Sequence, residues 1–307
     1  MTKDLAGKAS FQVVKFILFM TRVIPVRCSF AFCNFVVFVG SRFKWKRKLI
    51  ALENLKIVFP ELPEKERMAI FRESLRSMLK DYFEVAFIVN GKYSEEKISE
   101  IASASGLEHL DRIKRDHQGA LLYSGHFGNF TLMIIWLAMQ GYPVAAIYKE
   151  AKNFPDDFFG NIMRKFNVVP LKFSSDTSLT IAIIRALKEK KIVLIQNDQS
   201  HPNGVYVNFF NKSVPSPAGP ALLAKRVGVP IIPAYVCRDK RNHHRITVFP
   251  EMPLLQEDDL EKFLLLNTQN QLDWIAEILV KHPTQWLWLH NRWKRARNPG
   301  NPEGEAS

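Results

Sequence analysis

Between residues 59 and 89, apolar side chains recur at three- and four-residue spacing, the period of one helix face. Pro63 suits the first turn of that helix, and Glu64 and Glu66 follow where the positive end favours acids. Residues 94–105 read as a second, more polar helix and 106–116 as a short third. From residue 119 the pattern changes: short apolar runs bounded by turns alternate with longer helical ones. The runs 119–124, 143–149, 168–173, 192–196, 229–236 and 245–250 predict strands. The segments 129–140, 154–166, 176–191, 217–228 and 257–281 predict helices. Strands alternating with helices imply an α/β sheet with helices on its faces. Ligands of such sheets sit beyond the carboxyl ends of the strands. His126 lies just past the run 119–124, and Asp198 just past 192–196.

The N-terminal pattern differs. Residues 1–59 are rich in Phe, Val, Ile and Leu, yet hold eleven Lys/Arg against Asp4 and Glu53. Basic and apolar together is the composition of a membrane-surface segment. The run Cys28–Ser41, bracketed by Arg27 and Arg42, falls short of the roughly 20 residues of a spanning helix. The preceding FILFM segment (16–20), interrupted by Lys15, Arg22 and Pro25, has no small-residue cleavage site, so a signal peptide is not expected. The preferred expectation is two helices lying in the interface, with residues 42–48 (RFKWKRK) gripping anionic head groups. The alternatives are a tilted span with snorkelling arginines, and helices that merely cover the core. The chain therefore divides into basic apolar helices (1–59), an α/β domain (60–296) and a Pro/Gly-rich tail (297–307) expected to be disordered.

Composition changes the picture in one respect. Hydrophobic content (47%) and charged content (24%) are ordinary, but the formal charge is +13 over 307 residues. Such a balance favours an anionic partner. The apolar setting of the charge points to a membrane or an acidic protein and away from nucleic acid. Cys28, Cys33 and Cys237 have no metal-ligand or CxxC spacing and read as free thiols, buried as small hydrophobes in a reducing compartment. GxSxG, P-loop, GxGxxG and HExxH motifs are absent, no cofactor is indicated, and His243 and His244, in a predicted loop among Arg and Lys, do not suggest a metal site.

The candidate chemistry centres on His126. Gly125 and Gly128 flank it in a turn and permit close backbone approach to a ligand. Asn129 can cap the following helix, whose N-terminus favours developing negative charge. A base beside such donors is half of an acyl-transfer site.

SGHFGNF (residues 124–130) resembles the histidine block of the late lipid A acyltransferases, the lauroyl/myristoyl transferases, whose mycobacterial relatives acylate phosphatidylinositol mannosides. Residues 51–67 resemble the family's N-terminal helix and turn. Residues 197–236 resemble its DQ block, and 282–294 (HPTQWLWLHNRWK) its closing Q-W-x-W-x-H-x-RW motif. The resemblance implies a glycerolipid-acyltransferase-like sheet with helices on both faces, at the cytoplasmic face of the inner membrane. It implies O-acylation of a lipid hydroxyl, first among them a lipid A precursor, from an acyl carrier protein or acyl-CoA thioester. A lysophospholipid or another glycolipid is the alternative acceptor.

The family motif is H-x-x-x-x-[DE], but Thr131 stands at the acid position. A hydroxyl can hold the imidazole but cannot stabilise its positive charge as a carboxylate does. Three readings follow: a substitute acid, Asp198 by preference or Glu150; a slow or altered site; or a silent lipid holder on the same fold. By the resemblance, Arg164 polarises the donor or binds phosphate, with Lys149 and Arg185 as helpers. Each has the alternative of a solvated surface charge. Gly128, Asn129 and Gln199 complete the expected substrate-binding set. Gly204, Phe209 and Phe210 shape a loop near the site or simply pack. Trp286, Trp288 and Trp293, with Arg292 and Lys294, form either an interfacial anchor or core, and His290 is a lesser catalytic candidate.

Overall fold

The computed structural model describes residues 12, 15–150 and 157–297. Ahead of the sheet come a helical segment (15–23), α1 (Val26–Gly40), α2 (Lys46–Val58) and the long α3 (Glu64–Val89). After α4 (Glu95–Ile101) come β1 (Ala102–Ser105), α5 (Leu107–Arg115), β2 (Ala120–Ser124), α6 (Phe130–Met139) and β3 (Val144–Tyr148). Then follow α7 (Phe158–Lys165), β4 (Val169–Lys172), α8 (Asp176–Lys188) and β5 (Ile192–Gln196). The hairpin β6 (Val205–Asn208) and β7 (Ser213–Ser216) leads to α9 (Gly219–Val227), β8 (Ile231–Arg238), β9 (His244–Val248) and α10 (Leu260–Lys281).

The main sheet has seven strands in the order β1-β9-β8-β2-β5-β3-β4. All neighbours are parallel except β8 and β9. Alternate residues of β2 face opposite sides, as the strand period of two requires. Leu121 and Tyr123 enter one apolar core with α2, α8 and α10. Ala120 and Leu122 enter the other with α6, whose residues Leu132 to Ala138 are all buried. Burial on both faces explains why the strands read as continuous apolar runs. The protein thus has a mixed α/β fold with a mainly parallel sheet.

Several expectations change. The predicted helix 94–105 stops at Ile101, because Ala102–Ser105 pairs with β9 as an edge strand. The hairpin β6–β7 was not expected; its turn holds Phe210 and Asn211 at positive φ. His244 belongs to β9 and is not in a loop. Residues 154–156 of a predicted helix lie outside the described residues, as do 298–307 of the tail, of which Arg297 bridges Ser213.

Among the described residues the N-terminal region forms the segment 15–23, α1 and α2, the last overlapping the stretch that resembles the family's N-terminal helix and turn, and none of the described helices is long and apolar enough to cross a membrane. Ala51, Leu55 and Val58 of α2 join the main core, and Cys33 of α1 joins the other. On the outer side, Phe16, Phe19, Phe32, Phe35, Phe38 and Phe43 are more than half exposed. The basic run 42–48 is only partly free for head groups. Lys48 is buried, donating to the carbonyls of Ser41 (2.6 Å) and Phe43 (3.2 Å), and Arg47 donates to Leu289 O (3.3 Å). Cys28 is exposed, contrary to the expectation for the thiols, while Cys33 and Cys237 are buried.

Candidate active site

Strand order decides which acid can reach His126. β2 and β5 are neighbours in register, Ser124 opposite Gln196, and the Asn197 N–H continues the ladder to Ser124 O at 3.0 Å. His126 and Asp198 each lie two residues past these paired ends, so their side chains emerge together. Asp198 Oδ1 sits 2.6 Å from His126 Nδ1, and Oδ2 accepts from the His126 backbone N–H at 2.9 Å. Oδ2 also accepts from Trp286 Nε1 at 2.8 Å. Glu150, the other candidate acid, follows β3, two strands from β2 and hence roughly 10 Å away laterally. Its nearest cation is Lys172, at 3.6 Å.

Asp198 is 2% exposed. Burial alone would raise its pKa. The charge and hydrogen bonds of His126, with the Trp286 donor, outweigh burial and hold the carboxyl well below the usual range. For His126, burial favours the neutral ring, but the Asp198 charge and hydrogen bond win, so its pKa stands above the ordinary 6.5. With the proton on Nδ1, facing Asp198, Nε2 carries the lone pair, which accepts from the Gln199 amide at 3.3 Å. The ring packs edge-on against Phe130 at 5.6 Å.

The loop holding His126 is fixed from behind. Gly128 has φ +47°, and a Cβ there would lie 2.5 Å from Val236 O, so no side chain fits. Its N–H donates to Gln285 O at 2.8 Å, and Phe127 bridges Trp286. Asn129 caps α6 by accepting from the Leu132 N–H (3.0 Å), while its amide donates to Glu84 Oε2 (3.1 Å). Asn129 and Gly128 therefore place the loop. Thr131 makes no hydrogen bond to the imidazole among the described residues; it lines the cavity beside it.

That cavity, of about 140 Å³, lies between α3, the His126 loop and the segment at Trp286. A second cavity of about 510 Å³ runs between α3, α6 and α7, with an almost wholly apolar lining. Tyr82, Val85 and Thr131 line both. The arrangement combines an imidazole, a buried carboxylate bound to it, and an apolar chamber whose wall is shared with the imidazole's pocket.

The predicted cations lie elsewhere. Arg164 on α7 is bound to Asp157 (2.6 Å) and Asn161 (3.0 Å), Lys149 is exposed over the Phe173 ring, and Arg185 is exposed on α8. The tryptophans are no interfacial anchor: Trp286, Trp288 and Trp293 are buried, as is Arg292. Phe209 stacks on Trp293 at 5.3 Å, and a Cβ on Gly204 would strike Ser216 O, so that loop packs. His290 is half-buried; burial lowers its pKa, and it is absent from the hydrogen bonds of His126.

A buried ionic group behind the cavity escaped sequence reasoning. Glu84 accepts from both terminal nitrogens of Arg238 (2.6 and 2.7 Å) and binds His244 Nε2 (2.9 Å). Arg238 also grips Asp81. Asp81, Glu84 and His244 have the spacing of a metal triad, but the Arg238 guanidinium already supplies the cation there. The available signal was the pair Asp81 and Glu84, two acids in the apolar end of α3.

Residues 6–295 match the family described as bacterial lipid A biosynthesis acyltransferase. The chain belongs to this family. It is 26% identical over 199 residues to a phosphatidylinositol mannoside acyltransferase of Mycolicibacterium smegmatis, covering 61% of this chain and 63% of that protein. The match thus spans less than two thirds of the mycobacterial relative. A lipid A biosynthesis acyltransferase of Haemophilus influenzae is 25% identical over 282 residues, 86% of each chain. The lipid A biosynthesis lauroyltransferase of Escherichia coli is 25% identical over 277 residues, 88% of this chain and 84% of its own. Family and relatives are acyltransferases, which supports an enzyme.

Proposed function

We propose that this protein is an O-acyltransferase that moves a fatty acyl chain from a thioester to a hydroxyl of a membrane glycolipid, first among them a lipid A precursor. The observation that carries the reading is the His126–Asp198 pair at the mouth of a cavity that shares Thr131, Tyr82 and Val85 with an apolar chamber. His126 Nε2 takes the proton of the acceptor hydroxyl as its oxygen attacks the thioester carbonyl. Asp198 stabilises the imidazolium that forms. The first turn of α6, with Phe130 and Thr131 on the cavity wall, turns its positive end to the developing oxyanion. The C–S bond then breaks, and the imidazolium returns its proton to the leaving thiolate. The larger cavity receives the acyl chain. Asp198 serves as the orienting acid that position 131 lacks, so Thr131 need not silence the site.

The donor is an acyl carrier protein or acyl-CoA thioester. The protein works at the cytoplasmic face of the inner membrane, held peripherally by the exposed phenylalanines of its N-terminal helices and their basic neighbours. The functional test is incubation of the purified protein with an acyl thioester and a bacterial lipid extract, with mass spectrometry of the lipids. The wild type is expected to form a new ester, and His126→Ala to lose about 10²–10⁴ in rate. Equal turnover by both would remove His126 from the chemistry.

The reaction also has an expected pH dependence. The base must be neutral, and its pKa is raised. kcat/KM therefore climbs with pH through a midpoint above 6.5. A profile already flat at 6.5 would show that another group takes the proton.

A further inference from the structure

We propose that Asp81 is a specificity-determining residue: it accepts a hydrogen bond from a second hydroxyl of the acceptor, so that polyols are preferred to simple alcohols. The inference rests on the transferase reading of the same site and adds a residue to it.

Asp81 lines the cavity that His126 lines. Its side chain is 13% exposed, and Arg238 holds Oδ1. The Oδ2 atom has no hydrogen-bond partner among the described residues. Charge balance on Arg238 does not require this carboxylate, because Glu84 already meets the guanidinium through two hydrogen bonds. Glu84 is met by both Arg238 and His244, whereas Asp81 shares only Arg238 and keeps one oxygen for the cavity.

Several other polar residues of the wall are already hydrogen-bonded. Ser74 donates to Trp286 O (3.0 Å), Ser77 to Gln285 Oε1 (3.3 Å), and Asn129 is used at both ends. Against the hydroxyls of Tyr82 and Thr131 in the same wall, Asp81 Oδ2, a carboxylate oxygen, is the stronger acceptor. A partly buried carboxylate oxygen makes a charge-assisted bond to an O–H and repels a phosphate or another carboxylate. A site built to bind a hydroxyl discriminates against analogues that lack it, because its own polar group is then left unpaired. A sugar-like ring places a second hydroxyl next to the reacting one; a monohydric alcohol does not.

Trp286 lines the same cavity, so its fluorescence reports occupancy without any thioester or turnover. Octyl β-D-glucoside, below its micellar concentration, is the polyol probe, and 1-octanol the control. Asp81→Asn is expected to weaken glucoside binding about tenfold. Octanol binding should stay unchanged, and Asp81→Glu should recover part of the glucoside affinity. Should Asp81→Asn not fold, Asp81→Ser reads the same difference. Equal losses for both ligands, or none for the glucoside, would overturn the assignment. Failure of acyl transfer in the lipid-extract experiment would instead sink the transferase reading, leaving this binding difference to decide the role of Asp81.

Discussion

Asp198→Asn is expected to lower acyl transfer by about 10⁴, the cost of the equivalent change in a serine protease triad. The reason is geometric. Oδ2 accepts from two N–H groups, the His126 backbone and Trp286. An asparagine must set its oxygen there, since an NH₂ would face two donors. Its amide nitrogen then points at His126 Nδ1 and donates to it. The ring proton is driven to Nε2, and the lone pair that should take the hydroxyl proton is lost. Protein stability should change less than activity, because the side-chain shape is kept. Thr131→Glu is expected not to raise the wild-type rate. A silent lipid holder waiting for its acid would gain activity from that change. Steady-state rates on the acyl thioester and lipid acceptor, for each variant beside wild type, check both statements.

The second large effect concerns folding. Glu84→Ala should destabilise the protein by about 3–5 kcal/mol, the usual result of breaking one side of a buried ion pair. Glu84 is 1% exposed and receives Arg238, His244 and Asn129 together. Without it, Arg238 keeps only Asp81, in a site that water barely reaches. The pH sign can be stated. Burial opposes the Glu84 charge, but the His244 and Arg238 contacts outweigh it and hold its pKa at about 2, against an ordinary 4.5. The stabilisation is present above the ordinary value and is lost as pH falls toward about 2. Asp81 works in the opposite direction: burial is its largest effect and raises it to about 6, so its ionisation weakens the fold as pH rises through that region. Urea unfolding at neutral pH measures the Glu84→Ala effect. A loss below about 1 kcal/mol would mean that Arg238 finds a substitute partner.

What could be read along the chain follows from how local each signal is. Helix α3 was legible because its period is internal and Pro63 and Glu64 mark its start. The strands β2 and β5 were legible as apolar runs, so His126 and Asp198 could each be placed past a strand end. That the two strands are neighbours was not written in either run. It comes from the sheet order, and it separates Asp198 from Glu150. The segment Ala102–Ser105 shows the converse: four small alanine and serine residues give too weak an alternation to break the preceding helical pattern, and only pairing with β9 makes them a strand. Arg238 sits 154 positions from Glu84, and no spacing rule links residues so far apart. It also stood in a stretch of charges that resembled a solvated loop. The tryptophans of the closing motif were ambiguous for another reason. An aromatic stripe is the same in sequence whether it meets lipid or core, and the Asp198 contact of Trp286 decides for core.

A double-mutant cycle on His126→Ala and Asp198→Asn, read as kcat for acyl transfer, tests most directly whether the two residues act as one base. The pair is predicted to behave non-additively: the double variant should be no slower than His126→Ala alone, since an orienting anion has no role once the ring is gone. Losses that multiply, or an Asp198→Asn protein that transfers at the wild-type rate, would contradict it.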